Sequence, residues 1–258
     1  MPILDHLEPQ AVFSYFEQLC AIPHGSGNTK EISDHLVLFA AEHHLHCIQD
    51  AHNNIVIFSP GTPGYESAAP VILQGHMDMV CETAPDCTKD MACEGLDLFV
   101  DGDTIGARGT TLGGDDGIAV AMALAILDSS EIAHPALEAV FTVDEEIGME
   151  GAQGLDFSQL SARRMLNIDS EDEGIFTVSC AGGASANVSV GLTMAPNAAP
   201  CVKLTVFGLI GGHSGQEINK GRANANILLG RVLDALVQKG VEENDTILIG
   251  EYQFDYIF

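Results

Sequence analysis

Four short segments concentrate side chains able to ligate a metal or carry a proton. His76-Met77-Asp78 closes an apolar run. Period-two strand geometry would put His76 and Asp78 on one face, with Met77 on the other. A carboxylate beside an imidazole is how proteins fix the tautomer and ring angle of a metal-ligating histidine. A satisfied His–Asp pair at a strand end fits the same residues. Asp115-Asp116 sits among Gly113, Gly114 and Gly117 at the head of an apolar helical run. Acids there favour the helix dipole by about 0.3–1 kcal/mol each. The glycines around them also permit the close backbone approach that a ligand site needs.

Asp144-Glu145-Glu146 follows a valine- and phenylalanine-bearing strand. Three adjacent acids repel one another unless solvent or a cation relieves them, and one acid beside a metal can serve as general base. The other reading is a solvated strand-to-helix loop. Asp169 ends a further short apolar run. The segment from Asp169 to Gly174 superficially resembles a calcium loop, but its twelfth position is Cys180 rather than Glu, so an EF-hand is excluded. Taken together, one His, an Asp able to bridge, a Glu pair and a final Asp supply donors for paired divalent metals. Zinc suits the nitrogen and oxygen mixture. Two such ions can polarise a carbonyl and deprotonate a water, which is amide-hydrolysis chemistry.

The elements that must position these residues follow from hydrophobic period and punctuation. Val12, Phe13, Phe16, Leu19 and Cys20 recur at helical spacing before Pro23. A second helix is predicted from Asn28 as N-cap, with Glu31 three residues on as in a capping box. Strands are predicted at 54–58, 71–73, 137–143 and 165–168, a helix at 117–127, and an acidic surface loop over 81–102. Helices alternating with apolar strands imply an α/β fold built on a mostly parallel sheet. In such sheets ligands collect beyond the carboxyl ends of the strands, where His76, Asp78, Glu145, Glu146 and Asp169 fall. After Gly182-Gly183 the texture changes to a strand at 201–209, a glycine-rich loop, a helix at 222–239 and a strand at 246–249. That β–α–β stretch reads as the start of a second, α+β domain. The expected division is 1–186 and 187–258.

Several signals carry little. His43, His44, His46 and Cys47 straddle a predicted helix end and read as surface. Gly25-Ser26-Gly27 follows Pro23 rather than a strand and lacks a third glycine, so it is no dinucleotide fingerprint. No Walker-type lysine loop and no Gly-x-Ser-x-Gly elbow occurs. The 258 residues carry 10 Lys+Arg against 37 Asp+Glu, a formal charge of −27. That deficit of cations excludes phosphate-backbone binding and argues against an anionic membrane surface. Forty-six per cent hydrophobic residues with 18% charged describes a chain that folds rather than one that stays disordered. Seven scattered cysteines, an odd number, read as reduced thiols. The opening MPILDHLEPQ has no cationic n-region, and the run Gly117 to Leu127 is too short to span a bilayer. A cytoplasmic location is expected.

The ordered motifs resemble a known family. They are QGHMDMV at 74–80, ARGTTLGGDDG at 107–117, TVDEEIGM at 142–149, NIDSE at 167–171, CAGG at 180–183 and GGHSG at 211–215. Together they are similar to the aminoacyl-histidine dipeptidases, or cytosol non-specific dipeptidases, within the zinc peptidase superfamily of aminoacylases and carboxypeptidases. The resemblance spans residues 8 to 235. It implies a zinc-peptidase catalytic domain followed by a lid, and hydrolysis of unblocked dipeptides including Xaa-His. It implies that Asp115 bridges two Zn2+ ions, that His76 and Asp169 complete one and that Glu146 binds the other. Co2+ or Mn2+ would be alternative metals. Asp78 would buttress His76, Glu145 would be the general base, and His213 would hold substrate, in dimeric members across to a neighbouring subunit. Asp116 stands where the family has Asn. Members run to about twice this length and take their last ligand from a late histidine, whereas none follows His213 here. The resemblance therefore also implies an N-terminal fragment with an incomplete lid. Two alternatives stay open: a non-catalytic fragment binding one metal at most, and an N-acyl or N-carbamoyl amino-acid amidohydrolase on the same fold.

Overall fold

The computed structural model describes residues 2–170, 173–179, 189, 191, 203–212, 218–238, 246–249 and 252–255. The chain divides into two compact units, Met1–Ile175 and Phe176–Phe258. The expected boundary at 186/187 lies outside the described residues.

The first unit begins with two amphipathic helices, α1 (Gln10–Cys20) and α2 (Lys30–Glu42). Their apolar stripes, Phe16, Leu19 and Cys20 on α1 and Ile32, Leu36 and Phe39 on α2, are buried. The residue capping α2 is Thr29, not Asn28, and it makes no side-chain capping bond. Asn28 instead donates its amide to the main-chain oxygen of Ala92 at 3.0 Å. The expected capping box is therefore not formed.

Five strands make the main sheet: β1 (His46–Gln49), β2 (Ile55–Ser59), β3 (Val71–His76), β6 (Leu137–Thr142) and β7 (Met165–Asn167). Their spatial order is β1-β2-β6-β3-β7. β3 pairs parallel with both β6 and β7, while β2 pairs antiparallel with β1 and β6. Four of the five strands consequently run in one direction and only β2 opposes them. The crossover between β3 and β6 contains α3 (Gly114–Asp128), the connection that a parallel pair requires. α3 is apolar on nearly every side, as a helix wedged between other elements must be. It packs on α1 and on β3. Alternate strand residues Ile55, Ile57, Leu73, Leu137, Ala139 and Phe141 join Val120 and Leu124 of α3 and the stripes of α1 and α2 in one core. Burying each large side chain contributes about 1.5–3 kcal/mol.

Two features depart from the sequence reading. The acidic stretch taken as a loop over 81–102 ends in β4 (Leu98–Asp101), which forms an antiparallel hairpin with β5 (Thr104–Ala107). The histidine-rich tract is half strand: α2 stops at His43, His44 turns with φ 56°, and His46 opens β1 stacked on Phe58. Beyond β6 the chain forms a short α4 (Glu150–Gly154) and a 3-10 turn, Phe157–Gln159, before β7.

In the second unit the described elements are a 3-10 turn at Ile218–Lys220, α5 (Ala225–Gln238) and the antiparallel hairpin β8 (Thr246–Ile249) with β9 (Tyr252–Asp255). Of the strand expected over 201–209, residues 201–202 lie outside the described residues and 204–209 form no strand. No helix among the described residues is long and apolar enough to cross a membrane.

Candidate metal centre

β3 and β6 run side by side, with His76 paired to Thr142 at their carboxyl ends. Both chains then leave the sheet at one edge, and β7 ends beside them. That register places His76, the 144–146 acids and Asp169 at the same end of the sheet. The turn that starts α3 adds Asp115 and Asp116.

His76 is buried to 2% exposure and its ring is gripped from both sides. Nδ1 lies 2.9 Å from the main-chain oxygen of Asp78 and 3.5 Å from its carboxylate. A proton on Nδ1 directed at that carbonyl leaves Nε2 to face Asp115, whose Oδ1 is 3.1 Å away. Burial disfavours the imidazolium, yet the hydrogen bonds to Asp115 and Asp78 outweigh it and push the ring up to about 11. Asp115 itself is largely open to solvent.

The two adjacent aspartates do different work. Asp115 faces the imidazole, whereas Asp116 is buried and its Oδ2 accepts the main-chain N–H of His76 at 3.3 Å. Neither residue has helical dihedrals, so the regular helix begins at Gly117. Gly75 makes the Asp116 contact feasible, because a Cβ there would lie 2.8 Å from Asp116 Oδ2 and 2.9 Å from Ala119 Cβ. Burial pushes the Asp116 carboxyl up to about 7, with the Asp169 and Asp115 charges adding to that and His76 opposing it.

Asp78 is the hub. Its Oδ1 accepts the N–H of Glu145 at 3.1 Å, and its Oδ2 accepts the N–H of Glu146 at 3.4 Å. Ser26 Oγ donates to the same Oδ2 at 2.7 Å. Burial alone would raise this carboxyl, but the bonds from His76, Ser26 and Glu145 hold it below the usual carboxylate range. The residue expected to buttress His76 thus also seats the backbone of the glutamate pair. On the far side of that loop, Asn54 Oδ1 accepts the N–H of Val143 and its amide donates to Gly151 O. Glu145 is half-buried and Glu146 exposed. Burial and neighbouring carboxylates raise both of their carboxyls.

One nitrogen of His76 and one oxygen each of Asp115 and Glu146 lie within 4.8 Å of one another. A tetrahedral ion with bond lengths of about 2.0–2.2 Å holds its ligand atoms about 3.3–3.6 Å apart, so modest side-chain rotations would bring the three donors onto one ion. The imidazole and carboxylate donors are the kind that zinc accepts, so the residues fit a metal. Asp169 is not within this group. It lines, with Glu145 and with Ala152 of α4, a cavity of about 390 Å³. Its charge reaches Asp116 and Glu145 and raises both. His213 lies outside the described residues. Ser26 and Asn54 carry contacts that the sequence reading did not assign. Both bond across long stretches of chain, and no local spacing marks them.

No protein-family model matches the chain. Over 235 residues it is 41% identical to the cytosol non-specific dipeptidase of Escherichia coli strain K12, covering 90% of this chain and 48% of that protein. The chain is related to the cytosol non-specific dipeptidases. Among solved structures, an aminoacylhistidine dipeptidase from Vibrio alginolyticus matches with a TM-score of 0.67 and 34% identity. The match covers 92% of this chain and 49% of that one. A tripeptidase from Staphylococcus aureus matches with a TM-score of 0.54 and 26% identity, covering 64% of this chain and 44% of that one. The chain spans about half the length of these dipeptidase relatives.

Proposed function

We propose that this chain carries the catalytic centre of a zinc-dependent, cytoplasmic dipeptidase acting on unblocked dipeptides, Xaa-His among them. One observation carries the reading: His76, Asp115 and Glu146 converge within 4.8 Å at the carboxyl ends of parallel strands. They do so in a chain 41% identical to a dipeptidase. His76, Asp115, Glu146 and Asp169 are the residues that would hold the two Zn2+ ions. When bound, the metal supplies Lewis acidity that polarises the scissile carbonyl and lowers the pKa of water.

The chain's own groups do the rest. Glu145 accepts a proton from the attacking water as its oxygen bonds to the carbonyl carbon. It returns a proton to the amine nitrogen as the C–N bond breaks. A carboxyl raised by burial and neighbouring acids suits a base working near neutrality. Asp78 holds Glu145 in register and keeps His76 in the Nδ1–H tautomer. His213 would contact the substrate, and a homodimer would follow if a complete lid were supplied.

The test compares Ala-His with N-acetyl-Ala-His using zinc-loaded protein with and without a chelator. Chelator-sensitive hydrolysis of the free dipeptide alone is expected. Preference for the acetylated form would transfer the chain to the amidohydrolases of the same fold. A second reading, a fragment that binds one metal and does not turn over, draws on two observations. The relatives are twice as long, and Met165 and Leu166 on β7 are 58% and 57% exposed. Metal uptake without hydrolysis of either substrate would select it.

A further inference from the structure

The Gly25-Ser26-Gly27 motif lies against both strand ends that carry the site. Met79 N donates to His24 O at 3.2 Å and Ser26 N donates to Met79 O at 3.3 Å. These bonds make one rung of parallel pairing between Gly25 and the β3 exit. The approach is close, since a Cβ on Gly25 would lie 2.5 Å from Cys81 Sγ. Two residues on, Gly27 N donates to Asp144 Oδ1 at 2.7 Å, at the β6 exit. Between those anchors, Ser26 Oγ donates to Asp78 Oδ2 at 2.7 Å. That is the same oxygen that receives Glu146 N.

We infer that Ser26 is a positioning residue: its hydroxyl fixes the rotamer of Asp78, and Asp78 then sets the main chain of Glu145 and Glu146. The segment from His24 to Gly27 is a strap that ties the β3 and β6 exits into one rigid frame. Without the hydroxyl, Asp78 keeps its charge and its burial but loses the donor that opposes the pull of the glutamate N–H groups. Glu146 then swings relative to His76 and Asp115. For Glu146 the inference rests on the metal-centre reading; for Asp78 it does not.

The experiment uses the whole chain and three forms: wild type, Ser26→Ala and Ser26→Thr. Hydrogen exchange in the metal-free protein reads the frame directly. Ser26→Ala is expected to accelerate exchange over 144–149 while 55–59 stays protected, and Ser26→Thr, which keeps the hydroxyl, restores the wild-type pattern. Cobalt(II) titration followed by its visible absorption reads the site. Ser26→Ala is expected to weaken binding about 10- to 100-fold, with recovery in Ser26→Thr. Unchanged exchange over 144–149 in Ser26→Ala would overturn the inference. So would a loss of protection throughout the chain that Ser26→Thr fails to rescue. A wild-type chain that ignores cobalt would count against the metal centre alone, because the exchange result stands without metal.

Discussion

Glu145 and Glu146 are neighbours in sequence but are placed differently. The side chain of Glu146 joins His76 and Asp115 in the donor group, whereas Glu145 is half-buried beside the cavity that Asp169 lines. Replacing Glu145 by Gln keeps the shape of the side chain but would remove the proposed base. Turnover of Ala-His is expected to fall by about 10²–10⁴-fold while zinc content is unchanged. Steady-state kinetics with metal analysis of the same sample checks this. Comparable activity in Glu145→Gln would remove that residue from proton transfer. Asp78 shows how a single buried carboxylate serves several masters. It accepts from Ser26, Glu145 and Glu146 while its carbonyl fixes the His76 ring. Gly75 is equally constrained for a steric reason. A Gly75→Ala side chain would collide with Asp116 and Ala119. A loss of about 1–3 kcal/mol from overpacking is expected, read by urea denaturation.

Secondary-structure elements deliver these groups to one place. The β3–β6 register brings both exits level, and α3 fills the crossover between them. Leu124 of α3 is wholly buried in the core that backs the sheet. Leu124→Ala is expected to cost about 2–5 kcal/mol, seen as a lower denaturation midpoint at constant slope. The strand ends were legible because His76 and Asp78 sit at period two after an apolar run, and the Asp144 acids break another. α1 and α2 showed through their 3.6-residue stripes, and α3 through a continuous apolar run. What stayed hidden depended on tertiary partners. β1 was obscured because His43, His44 and His46 carry no strand signal until His46 stacks on Phe58. The β4–β5 hairpin was masked by Asp97, Asp101 and Asp103. The pairing of Ser26 with Asp78 spans 52 residues, so spacing alone could not propose it. Asp115 and Asp116 read as one unit, yet burial separates them completely.

At the scale of the molecule, the −27 charge and the half-length match set the terms. Only a handful of the 37 acids gather at the centre, and another, Glu138, is buried where it accepts from Ser161 and Ala162. Parallel strands are ordinarily covered on both faces. Here the face turned away from α1, α2 and α3 carries a cavity lined by Ile72, Val140, Leu155, Leu160 and Phe157, the last 63% exposed. Such a surface favours association, and light scattering is expected to show concentration-dependent self-association that high salt strengthens by screening the negative charge. A monodisperse monomer at high salt would contradict that expectation. The central claim is the metal centre, and calorimetric titration of zinc into the metal-free chain, beside His76→Ala, tests it most directly. Saturable, chelator-reversible binding to the wild type and a large loss of affinity in His76→Ala are expected. A wild-type chain that takes up no zinc, or a His76→Ala chain that binds it equally well, would contradict the account.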